Sequence, residues 1–146
     1  MVTDFILAGL HHLLVFGLVA VFAAEAALIR PGLSGTALAR VARLDQVYGM
    51  MAVAVIAIGV SRLLFGLKGW EYYAASHAFW GKMAAFVAIG LLSIGPTLAI
   101  MRWRRAPGEV VADAEIAKAR RYIGAQAVLF GLVMVFAAAM ARGIGA

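Results

Sequence analysis

The sequence predicts an all-α integral membrane protein: one domain over residues 1–146, folded as an up-down bundle of four transmembrane helices with both ends outside. Three observations carry that prediction. Hydrophobic residues make up 65% of the chain and charged residues only 14%, with a mean hydropathy of +0.97. A soluble domain carries about 45–50% apolar and about 25% charged residues, and one this small lacks the interior to hide the difference. The apolar residues gather into four runs, Phe5–Ile29, Val47–Leu67, Phe79–Met101 and Ile123–Ala141. Each is near the roughly 20 residues that cross about 30 Å of hydrocarbon. None shows the roughly 10-residue alternation of a membrane barrel. Helices, which satisfy every backbone group internally, are what remains.

The first run follows Met1 to Asp4, a stretch with an acid and no base, and it exceeds the roughly 7–15 apolar residues of a cleavable signal. It therefore reads as a retained span. The first connector, "RPGLSGTALARVARLDQ", opens with a Pro-Gly break and offers Ser34 as a cap. Its Leu33, Leu38, Val41 and Leu44 are spaced for a short interfacial helix. The second connector, "KGWEYYAAS", is short and aromatic, as expected at headgroup level. In the third span Pro96 lacks an N–H, so the helix should bend there and free a carbonyl for Ser93 or a water. The third connector, "RWRRAPGEVVADAEIAKARR", is the most polar, and its Asp113–Arg121 part extends the fourth helix into water with Asp113 as the cap. Glycines such as Gly17, Gly59 and Gly81 punctuate the spans and suit close helix contacts, within the bundle or in a homo-oligomer.

Charge sets the orientation. The first and third connectors carry Arg30, Arg40, Arg43, Arg102, Arg104, Arg105, Lys118, Arg120 and Arg121, against Arg62, Lys68, Lys82 and Arg142 on the other side. The richer side belongs in the cytoplasm, so a multi-pass chain with both ends outward is expected, in the periplasm if the host is Gram-negative. The same topology accounts for the net charge of +6 without nucleic acid. With no cysteine, disulfides and thiolate metal or iron–sulfur sites are excluded. No GxSxG, HExxH or Walker sequence is present.

Ionisable residues inside a span cost about 2.5–3.5 kcal/mol near its centre, so they are functional candidates by default. They fall at two levels. The outer level holds His11 and His12 on the first span, Arg62 on the second and Lys82 on the third, with His77 at the mouth of the third. Adjacent helical residues point about 100° apart, so one of the two histidines at most aims at a common centre. Arg62 and Lys82 are near enough to span ends to snorkel to the headgroups instead. The inner level holds Glu25, Asp45, Gln46, Tyr48, Tyr122 and Gln126. There Glu25 would pair with Arg30, Arg43 or Arg121, and the two tyrosines would serve as belt aromatics.

Neutral imidazole is a usual axial ligand of haem b, which also needs a flat apolar slot and cations for its propionates. His11 or His12 would supply the first, Phe16, Phe79 and Phe86 the slot, and Arg62, Lys68 or Lys82 the cations, with Lys82 or His77 as a second ligand. This makes a haem-binding redox or electron-transfer protein the leading expectation, with a quinone as partner and Lys82 and Arg62 as the catalytic candidates. Copper held by His11, His12 and His77 with Met83, Met134 or Met140 is the alternative. A third reading is a non-catalytic membrane interaction module.

The stretches "LHHLLVFGLVAVFAAEAALIRPGL", "RLDQVYGMMAVAVIAIGVSRLLFG" and "FWGKMAAFVAIGLLSIGPTLAIMRWRR" together resemble a bacterial four-helix membrane family of unknown function, over nearly the whole chain. More distantly they resemble the J-type protoporphyrinogen oxidases and the membrane part of D-type copper-resistance proteins. The oxidase resemblance implies haem held through His12 or His11, a requirement for Lys82, and a porphyrinogen substrate. One position departs: where those oxidases have a His two residues before the Lys, this chain has Trp80, with His77 about one turn away. Haem binding therefore carries over more readily than oxidase activity.

Overall fold

The computed structural model describes residues 1–145 and is helical, with no strand among them. In chain order the elements are α1 (Val2–Leu28), α2 (Gly35–Phe65), α3 (Gly69–Ala74), α4 (His77–Arg104) and α5 (Asp113–Ala141). All but the six-residue α3 are long and apolar enough to cross a membrane. The protein is thus a four-helix membrane bundle with one small additional helix in its second connector. Large apolar side chains such as Phe5, Leu13, Phe16 and Val53 stand exposed on its outside, as a lipid solvent requires.

The bundle is two hairpins. α1 packs along α2 and α4 along α5, with far less contact between the pairs. Two glycines permit close approach within them. A Cβ at Gly17 would fall 2.5 Å from the Met51 methyl, and one at Gly81 would fall 2.8 Å from the Phe136 ring. Both termini lie at the end that holds α3: Asp4 Oδ1 accepts from the Leu67 N–H at 3.4 Å, and the His77 N–H donates to the Gly145 carbonyl at 2.8 Å. That end is called the outer one below, after the orientation the basic residues predict.

The inner end is closed like a small soluble core. Ile29, Leu33, Leu38, Val41, Ile100, Trp103, Val111 and Ile116 form one buried cluster. The Val111 N–H donates to the Leu33 carbonyl at 3.0 Å, tying the third connector to the first. Arg120 of α5 donates to the Ile29 carbonyl at 2.8 Å, satisfying one of the orphan carbonyls at the end of α1. Arg102 pairs with Glu115 at 2.8 Å, and Trp103 Nε1 donates to the same carboxylate at 3.2 Å.

Around this closure the local expectations are met only in part. The first connector forms no separate interfacial helix: α2 runs unbroken from Gly35, and Leu33, Leu38 and Val41 are buried against residues of α4 and α5. Ser34 holds the N-cap position but makes no side-chain bond there. Asp113 is the first helical residue of α5 and not its cap, which is Ala112. At Pro96, α4 continues through the proline, and Ser93 Oγ donates to Gly90 O at 2.6 Å, away from the Leu92 carbonyl that Pro96 leaves free.

A second buried cluster fills the middle with Leu18, Phe22, Tyr48, Val55, Ile89 and Phe130. The Phe22 and Phe130 rings stand 5.0 Å apart across the two hairpins. Toward the outer end its last members are Leu14, Val55, Phe86 and Val133. One turn further out, where another apolar layer would sit, come His11, Gly59 and Lys82.

Candidate functional site

The outer site is assembled from three helices. His11 turns inward on α1 and lies over Gly59 of α2, where a Cβ would be 3.7 Å from His11 Cε1, in ordinary contact. Arg62 comes from the last turn of α2, and Lys82 from the second turn of α4. The charges of Lys82 and of Arg62 both act on the His11 ring, and that of Arg62 acts on Lys82. His11 Nδ1 and Arg62 Nε are both buried with no hydrogen-bond partner. Among the described residues no acid pairs with these cations: the single ion pair is Arg102–Glu115 at the other end, and Asp4 accepts from the Leu67 N–H with one oxygen. Buried polar atoms are ordinarily paired, so these two orphans make this layer the candidate site.

The other residues expected at this level stand elsewhere. His12 is exposed on the outside of α1, its ring 6.2 Å from that of His11 and nearly perpendicular to it. Its Nδ1–H donates to the Ala8 carbonyl at 2.6 Å. His77 is the exposed first residue of α4. Lys68 donates to the Tyr72 hydroxyl at 3.3 Å in the second connector. The expected apolar slot is not made by the phenylalanines named for it. Phe16 is 64% exposed, Phe79 packs against Trp70, Tyr73 and Trp80, and Phe86 joins the middle cluster. Arg62 is part-buried, with its Nε buried, at the end of α2. Among the described residues no three His, Cys, Asp or Glu side chains gather as a metal-binding group.

A second polar group lies in the inner half. Glu25 forms no pair with Arg30, Arg43 or Arg121; it lines one small space together with Asp45. Thr97 Oγ1 donates to Asp45 Oδ1 at 3.0 Å. Tyr48 is no belt residue: it is buried, and its hydroxyl donates to Gln126 Oε1 at 3.2 Å. Gln46 is exposed and takes no part, while Tyr122 turns to a different space beside Gly95.

Against known families, the one described as "Predicted membrane protein (DUF2214)" matches residues 3–145, nearly the whole chain. The chain belongs to this family. No curated protein and no solved structure matches it. For this DUF2214 protein the polar residues therefore have to be read from their own geometry.

Sequence reasoning missed Thr97. The signal was its spacing of four from Ser93, which puts both hydroxyls on the face of α4 that carries Pro96 toward Asp45.

Proposed function

We propose that this membrane protein binds haem b in the outer half of the bundle and serves as a redox or electron-transfer protein of the bacterial inner membrane. The observation that carries the proposal is the orphaned His11 Nδ1 beside Arg62 and Lys82, with no acid paired to them among the described residues. A haem fits that donor set: its iron takes a neutral imidazole, and its two propionates supply the anions the site lacks. In this reading His11 would ligate the iron and Arg62 and Lys82 would hold the propionates, while His12 and His77 are exposed and take no part. Bound there, haem would supply one-electron chemistry. The protein's part is to hold it in a water-poor layer and to balance its charge. A lipid-soluble quinone is the partner this depth suits. A porphyrinogen is the partner that the resemblance to J-type oxidases suggests.

The same charges weigh against the copper reading. A metal cation beside His11 would meet two further positive groups with no carboxylate to offset them. The test is the visible spectrum and metal content of the purified protein. A Soret band with α and β bands on reduction supports haem. Copper without haem would favour the alternative, and a colourless, metal-free protein that cannot take up haemin would leave a non-catalytic membrane module.

A further inference from the structure

The inner polar group has its own chemistry, independent of what the outer site binds. Glu25 is 5% exposed and has no Lys or Arg at ion-pair distance. Its carboxyl and that of Asp45 line the same small space, and a buried carboxylate with no cation to offset it is costly. A proton held on one of the two removes that cost. Gln126, 3% exposed, stands in the wall of the same small space and offers its amide nitrogen to no protein acceptor. That space is about 10 Å³, room for about one water.

The groups around Glu25 are few. Asp45 and Tyr48 face it from α2, the hydroxyl of Ser93 and the Thr97 bond to Asp45 come from α4, and Gln126 comes from α5. Arg120 of α5 is held one turn further along by the Ala26 and Ile29 carbonyls. A larger, partly open space of about 190 Å³ lies next to this one between the inner ends of α4 and α5, lined by Arg102, Glu115, Lys118 and Tyr122. Pro96 forms a wall of both spaces.

We propose that Glu25 and Asp45 form a proton-binding site that holds one exchangeable proton between them and exchanges it with the inner aqueous side past Pro96. The step is a protonation alone: a proton from water joins a carboxylate oxygen, and nothing is oxidised or reduced. A metal cation fits less well. Thr97 already donates to Asp45 and Tyr48 to the Gln126 oxygen, which leaves few free oxygens to hold a cation.

Dicyclohexylcarbodiimide tests this, because it modifies protonated carboxyls in apolar surroundings. The full chain, solubilised in detergent, should take up one label in the peptides containing Glu25 and Asp45. The label should fade as the pH is raised and be unaffected by Na⁺ or K⁺. The Glu25→Gln/Asp45→Asn double variant should lose it, and Glu115→Gln should keep it. Absence of label from these peptides in the wild-type protein, its persistence in the double variant, or protection by Na⁺ or K⁺ would each overturn the proposal. The wild-type pH and cation arms stand even where the double variant fails to fold.

Discussion

At the scale of single residues, the outer site depends on which way one imidazole turns. Positions 11 and 12 are equivalent in hydropathy and depth, and helical geometry says only that they diverge. His11 is the one that lies beside Gly59, a residue of another helix, and no local pattern announces that contact. Arg62 and Lys82 are expected to act on affinity and not on ligation. Arg62→Ala and Lys82→Ala should each weaken haemin binding about tenfold to a hundredfold, the worth of one charge-assisted hydrogen bond, while the Soret position stays that of the parent. A titration followed by absorbance checks this; loss of the band itself would make either residue a ligand. In the inner half, Tyr48→Phe leaves the buried Gln126 oxygen without its donor and should cost about 1–3 kcal/mol in detergent unfolding. An unchanged midpoint would mean that water replaces the hydroxyl.

At the scale of elements, the four spans were legible because each is a run of apolar residues long enough to cross hydrocarbon, and that signal is local. The start of α2 was not. Leu33, Leu38 and Val41 have the spacing of an amphipathic helix on a membrane surface, and only Trp103, Val111 and Ile116, far along the chain, convert that face into core. The same cluster yields a contrast that a lipid-facing position lacks. Ile116→Ala, at 1% exposure, should lower stability by about 2–5 kcal/mol. Ile56→Ala, on the outer surface of α2, should change it little. Equal effects would mean that the inner end is not packed as described. Gly81→Val tests the α4–α5 seam in the same assay, since its Cβ would meet the Phe136 ring at 2.8 Å and should lower the unfolding midpoint.

At the scale of the whole molecule, burial is uneven. The inner end and the middle are closed by two apolar clusters, while the layer beyond Leu14, Val55 and Phe86 is given over to nitrogen donors. Composition made the membrane legible and the basic connectors gave the orientation, but the arrangement of the polar residues between helices depends on how the two hairpins meet. The orientation can be checked in a chain without native cysteine. A single cysteine at Ala75, in the second connector, should react with an impermeant maleimide from outside, and one at Ala106, in the third, only from the cytoplasmic side. The reverse pattern would invert the bundle.

The central claim is that His11, not His12, presents its nitrogen to a bound haem. Haemin titration of the purified protein, followed at the Soret band, compares His11→Ala with His12→Ala directly. Retention of the parent band in His12→Ala and its loss in His11→Ala is the predicted result. A band that survives His11→Ala and disappears in His12→Ala would contradict it.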